Sequence, residues 1–419
     1  MESQVSATPG KIGELIKNMK FLSRFYRNQP QAYYFQMIQE YYSNLRDAQE
    51  NGSFVVAHTI FFPVEIFDAM GLVPLHLEYS GSMMSLFGVE IGDLLASAAE
   101  MGLAPEICSA HRLVGGALKM GMLPKVDAVI CSNLVCDNSI KSGELTMHFN
   151  QCPGFIFDYP FQSTQAAGKF VTEELKRAID FLERASGRKM DWDKLSETLA
   201  ETARQIELIR QINDLCKAKP SPFRPQDFLK FLVSDYMGAG KKTTTLYLDS
   251  LHRDLKQKVE NHQGFANPER LRLMGLMLSP WHLQAEIDAI LLEHGAAIVC
   301  NPNLCDWRDE LSLDPRRPLE AIAAKLEASS PLRMFGPMDE RAVKPLLNSA
   351  KDYAIDGAVN FNHLGCRQMG PMYKIYKDLL GEVGVPVLNI DCDLIDPTVT
   401  SADEVREKLE QFFELLEDR

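Results

Sequence analysis

A chain of 419 residues exceeds what one hydrophobic core usually serves, and its 46% hydrophobic and 24% charged residues match an ordinary globular protein. The formal charge of −13 argues against nucleic-acid or anionic-membrane partners, because neutralising phosphates takes a surplus of Lys and Arg. No apolar run approaches the roughly 18 residues of a membrane span, and the opening MESQVSATPGKIGELIK has no signal-peptide core, so a cytoplasmic protein with no membrane contact is expected.

Helical periodicity runs from about residue 11 to 50 through Ile12, Leu15, Ile16, Met19 and Leu22, then Tyr33, Tyr34, Met37, Ile38 and Tyr41. This predicts an N-terminal helical arm over residues 1–50. Phe54 to Phe62 reads as a strand stopped by Pro63, which suits the first turn of a helix from Val64 to Met70. Gly71 ends that helix, and Leu72 to Tyr79 is the next strand. A helix from about Ile107 to Met120, a strand Ala128 to Ser132 and a strand Gly154 to Asp158 continue the pattern. Strands with continuous apolar centres, alternating with helices, imply a parallel sheet covered on both faces.

Residues 165–267 are helical in pattern, interrupted by Lys219-Pro-Ser-Pro-Phe-Arg-Pro225. A second alternation follows, with strands at Leu271 to Met277, Ala296 to Cys300, Gly357 to Asn362 and Pro386 to Asp391, and a last helix capped by the Ser401 and Glu404 box. The expected fold class is α/β: two doubly wound parallel-sheet domains, 51–164 and 268–419, joined by the helical segment 165–267 and preceded by the arm. The two alternating halves suggest a distant duplication. The fragment Gly238 to Thr243 mimics a nucleotide loop but lacks the spacing and the preceding strand.

Nine cysteines without a C-x-x-C fit neither a disulfide framework nor a zinc ribbon in an intracellular chain. Cys108 stands at a helix start, Cys136 in a polar loop with Asn133, Asp137 and Asn138, and Cys366 beyond a strand end between Gly365 and Arg367. Ligands of parallel sheets lie beyond the carboxyl ends of the strands, and helix starts and open loops favour thiolate. Each cysteine alone also reads as a buried core residue. All three at comparable positions point to convergence on one iron–sulfur cluster. Gly115-Gly-Ala117 is expected to let a cofactor approach the backbone closely. Cys131 and Cys300 lie inside apolar strands and read as core, and Cys216 and Cys392 give no positive signal.

The segments Phe61 to Pro74, Cys108 to Gly115, Cys136-Asp137, Asn303 to Arg308 and the block from Asn362 through Pro397 resemble, in order, the 2-hydroxyacyl-CoA dehydratase and benzoyl-CoA reductase family over roughly residues 50 to 415. The resemblance implies two α/β domains and a 4Fe-4S cluster on three cysteines, which here are Cys108, Cys136 and Cys366. It implies an acyl-CoA substrate, a paralogous subunit or second copy as partner, and a separate ATP-dependent iron–sulfur activator that delivers one electron. The implied reaction eliminates water from a 2-hydroxyacyl-CoA through a ketyl radical. A reductase subunit of the benzoyl-CoA or double-cubane type, or a non-catalytic cluster-bearing partner, is the alternative. Spare cysteines, Cys131, Cys152, Cys300 and Cys305, would serve a double-cubane cluster, although Cys305 is followed by Asp306-Trp307 where many relatives have a Gly-containing turn.

His111, one turn beyond Cys108, is the candidate catalytic group, and Arg112 and Arg367 are candidate partners for an anionic cluster or phosphate. Both arginines also read as ordinary surface charges. Glu65 reads as a first-turn carboxylate favoured by its helix dipole.

Overall fold

The computed structural model describes residues 7–83, 89–302, 311, 313–330, 332 and 336–419. The chain forms two compact units, one of residues 1–205, 233–248 and 310–327, the other of residues 206–232, 249–309 and 328–419. Each carries a four-stranded sheet.

In the first unit, helices α1 (Ala7–Phe25) and α2 (Pro30–Asn51) pack as a hairpin. Pro30 at the first helical position fixes the entry of α2, and Gly52 ends it in the left-handed conformation. The sheet is built from β1 (Val55–His58), β2 (Val73–His76), β3 (Ala128–Ser132) and β4 (Gly154–Phe157), in spatial order β2-β1-β3-β4 with every pairing parallel. The connections hold α3 (Glu65–Ala69), α4 (Leu77–Ser82), α5 (Ile91–Glu100), α6 (Ser109–Lys119) and α7 (Asn138–Asn150), and α8 (Gln165–Ser186) packs on β4. Every residue of β1 and β3 is buried, which explains their unbroken apolar runs. The strand expected from Phe54 to Phe62 stops at His58, and the one expected to reach Tyr79 turns helical at Leu77. In both, the last predicted residues instead turn away beyond the carboxyl edge of the sheet.

The helical stretch continues with α9 (Trp192–Leu215), α10 (Phe228–Gly238) and α11 (Lys242–Glu260). Gly238 to Thr243 spans the end of α10, a three-residue turn with Gly240 at φ +74° and the start of α11, so a helix and not a strand precedes the turn. The second unit holds β5 (Leu271–Gly275), β6 (Ala296–Cys300), β7 (Gly357–His363) and β8 (Val387–Cys392), all parallel, in the order β6-β5-β7-β8. Its other elements are α12 (Gln284–Glu293), α14 (Glu340–Asp352), α15 (Met372–Glu382) and α16 (Ala402–Glu417), and α13 (Pro318–Ala328) lies almost wholly in the first unit. The expected capping box at Ser401 and Glu404 is formed in full.

The two sheets therefore share one strand order, as two halves of a duplication would. In each, the chain leaves the first strand to one side and returns to the other, so the order reverses between β1 and β3 and between β5 and β7. Such reversal points open a crevice beyond the strand ends. Among the described residues, no helix is long and apolar enough to cross a membrane.

Candidate iron–sulfur site

Cys136 follows β3 by one short loop, at the reversal point of the first sheet. The loop is tight: the Cys136 N–H donates to the Leu134 carbonyl at 2.8 Å, closing a three-residue turn around Val135 at φ +67°. A β-branched residue resists that conformation, and such local strain tends to collect at functional sites. Asn133 anchors the loop from below, since its side-chain oxygen accepts the Tyr159 N–H at 2.7 Å and its amide donates to Asp158. Asp137 is then the N-cap residue of α7.

Cys108 is the N-cap residue of α6, and its carbonyl accepts the first helical N–H groups from His111 and Arg112. Its side chain makes no capping bond, and next to it the buried Ser109 hydroxyl has no partner among the described residues. His111 joins the two cysteine loops. Its Nε2 lies 3.3 Å from Cys136 Sγ and its Nδ1 2.7 Å from Ser142 Oγ on α7. Burial pulls the His111 pKa down to about 4, against the opposing pull of Asp137, so the ring is neutral near pH 7. Arg112 is also buried, and its Nε donates to the Ile107 carbonyl at 3.0 Å.

In the second unit, Cys366 follows β7 as Cys136 follows β3. Its N–H closes a turn onto the His363 carbonyl at 2.8 Å, and Arg367 beside it is exposed. Asn360 and Asn362 donate across to Asn389 and Asp391 at 2.7 Å each, pinning β7 to β8 beneath this turn. The strand-end placement expected of Cys136 and Cys366 and the helix-start placement of Cys108 are thus all present.

The cysteines divide by environment. Cys108, Cys136, Cys152 and Cys366 are half-buried, whereas Cys131, Cys216, Cys300 and Cys392 are buried. Burial raises the Cys131 pKa to about 11 and pushes Cys216, Cys392 and Cys152 upward as well. In each, burial disfavours the thiolate, the form that ligates a metal. Cys131 and Cys300 lie inside β3 and β6, as core residues do. Cys305 lies outside the described residues.

One expectation is corrected. A side chain at Gly116 would put its Cβ 2.1 Å from the Leu94 carbonyl oxygen, and one at Gly115 would meet Leu103. Gly115 and Gly116 serve close packing of α6 with Leu103 and with α5, not approach of a cofactor.

Glu65 opens α3, as its spacing from Pro63 predicts, but it is also wholly buried. One oxygen accepts from Lys325 Nζ at 2.7 Å and from Thr202 at 3.1 Å. Burial pulls the Lys325 pKa down, yet the Glu65 and Asp235 carboxylates outweigh it and hold the ammonium charged.

A polar group at the carboxyl ends of β1 and β2 escaped the sequence reading. His58, His76 and Glu78 are buried, and the Glu78 carboxyl accepts the Ile60 N–H at 3.2 Å and the Ser139 hydroxyl at 3.0 Å. Ser139 stands one turn after Cys136. The available signal was three polar residues inside two apolar strand runs, where burial demands a partner or a purpose.

The family model described as 2-hydroxyglutaryl-CoA dehydratase, D-component, matches residues 59–416. Similar curated proteins include the (R)-2-hydroxyisocaproyl-CoA dehydratase alpha subunit of Clostridioides difficile, 23% identical over 91% of this chain and 95% of that one. The lactoyl-CoA dehydratase subunit alpha of Anaerotignum propionicum is 23% identical over 89% and 93% of the two chains. A subunit of the benzoyl-CoA reductase of Thauera aromatica is 22% identical over 92% and 94%.

Proposed function

The chain belongs to the family described as 2-hydroxyglutaryl-CoA dehydratase, D-component, and from that premise we propose that it is the iron–sulfur subunit of a 2-hydroxyacyl-CoA dehydratase, a hydro-lyase. Cys108, Cys136 and Cys366 are the ligands of one 4Fe-4S cluster. The observation that carries this is positional: Cys136 and Cys366 occupy the same place, beyond the third strand of two sheets of one topology, and His111 ties the Cys108 helix to Cys136 at 3.3 Å. Half-buried thiols at a helix start and at two strand-end turns suit such a group, and thiols closed into the core do not.

When bound, a cluster with one iron left free of cysteine supplies a Lewis-acidic site and a path for a single electron. The surrounding residues have their own tasks. The turn at Val135 presents the Cys136 sulfur, the neutral His111 ring steadies it, and Arg112 offsets negative charge near Cys108. The substrate is an acyl-CoA whose thioester carbonyl accepts one electron and becomes a ketyl radical anion, which expels the 2-hydroxyl as hydroxide; loss of a proton from C3 and return of the electron complete the elimination of water. A separate ATP-dependent iron–sulfur activator delivers that electron, and a paralogous subunit or second copy completes the enzyme, as the alpha-subunit names of the relatives suggest.

The benzoyl-CoA reductase relative favours a second reading, in which the electron reduces the acyl group instead of being recovered. A double-cubane cluster would need further thiolates, and Cys131, Cys216, Cys300 and Cys392 are closed into the core. A cluster-bearing partner without its own catalysis is the third reading. Anaerobic co-purification with the partner, followed by an assay for water loss from a 2-hydroxyacyl-CoA with an activator present, separates them. Enoyl-CoA formed only when this chain is present supports the dehydratase; a reduced acyl product, or full activity of the partner alone, contradicts it.

A further inference from the structure

His58 and His76 end adjacent strands and are register partners, so both rings stand on the same face of the sheet at its carboxyl edge. Their centroids are 4.8 Å apart and their planes meet at 72°. They are 1% and 2% exposed.

The backbone fixes a different tautomer for each. His58 Nδ1 lies 3.2 Å from the Thr59 carbonyl oxygen, so that nitrogen carries the proton and Nε2 is bare. His76 Nδ1 accepts the Tyr79 N–H at 3.2 Å, so it is bare and Nε2 carries the proton. Both Nε2 atoms are buried and meet no hydrogen-bond partner among the described residues. Burial holds both rings neutral, with the His58 pKa down to about 4 and that of His76 lowered further by its histidine neighbours. Phe67 stands 5.2 Å from the His58 ring and Tyr236 5.5 Å from that of His76, which keeps the place dry.

Two rings with centroids 4.8 Å apart thus offer one bare Nε2 and one Nε2–H, a combination that matches one kind of atom. A carbonyl oxygen only accepts, and a carboxylate would set lone pair against lone pair at His58. A metal ion would need further ligands, and among the described residues no third His, Cys, Asp or Glu atom joins these two within 4.8 Å. A hydroxyl satisfies both, donating to His58 and accepting from His76. We propose that His58 and His76 form the subsite that recognises the hydroxyl of the 2-hydroxyacyl group. This rests on the dehydratase reading and adds to it the residues that distinguish a hydroxylated substrate from its deoxy counterpart.

Lactoyl-CoA and propionyl-CoA differ only in that hydroxyl, so calorimetry on the anaerobically purified protein is the test. The wild type is expected to prefer lactoyl-CoA by about tenfold or more, since a site built to bond a hydroxyl penalises its loss. His58→Phe and His76→Phe are each expected to erase the preference while leaving propionyl-CoA binding intact, which also shows that the variants fold. Nitrogen-15 shifts of the wild-type imidazoles give a second readout, with His58 protonated on Nδ1 and His76 on Nε2 at pH 7. Equal wild-type binding of the two thioesters, a preference that survives in both variants, or the opposite tautomers overturns the subsite alone. Failure of the wild type to bind either thioester overturns the acyl-CoA reading and the subsite with it.

Discussion

Glu78 illustrates how much a single buried group can reveal. Burial raises its pKa from 4.5 to about 7, only partly offset by the bonds from Ser139 and Ile60. The native chain therefore keeps a proton that the unfolded chain sheds as pH rises from 4.5 towards 7. The stabilisation is complete below the lower value and is lost as pH climbs through the upper one. Glu78→Gln removes this titration, so the variant should gain stability relative to the wild type between pH 5 and pH 8, by up to about 3 kcal/mol. Paired melting curves at the two pH values check this, and a pH-independent difference contradicts it. The cysteine positions were legible in the sequence because turn and cap residues mark strand ends and helix starts. His58, His76 and Glu78 were not, because an apolar run hides the residue at which a strand leaves the sheet. Nor could spacing reveal that Gly116 packs against Leu94.

At the scale of elements, the Glu65–Lys325 pair ties α13 to α3 within the first unit, across 260 residues of sequence. Both side chains are at most 6% exposed, so removing one leaves a buried charge. Lys325→Met is expected to destabilise the protein by about 3–5 kcal/mol. Adding Glu65→Gln to that variant should restore most of the loss, because the orphaned charge goes with it. Urea denaturation of the two single variants and the double checks both statements; a single-variant shift near zero contradicts them. Glu65 was placed correctly at a helix start from Pro63, while Lys325 gave no sign, since a contact over so many residues leaves no local pattern. The alternation of strands and helices was readable for the opposite reason: it is local, and a strand covered on both faces must be apolar throughout.

For the whole molecule, the repeated strand order is the decisive feature. It sets Cys136 and Cys366 at equivalent points of two sheets, which no spacing count between residues 136 and 366 reveals. The family resemblance seen in the ordered motifs is borne out by the match over residues 59–416. The proposed ligand set, Cys108, Cys136 and Cys366, draws on both observations. Its most direct test is iron and acid-labile sulfide counted on anaerobically purified protein, wild type and with Ser at position 108, 136 or 366, with Cys131→Ser as a control. About four irons per wild-type chain, reduced in each of the three variants and unchanged in the control, is the expected result for a single cubane cluster. A wild type without iron, or full iron in all three variants, would contradict the account.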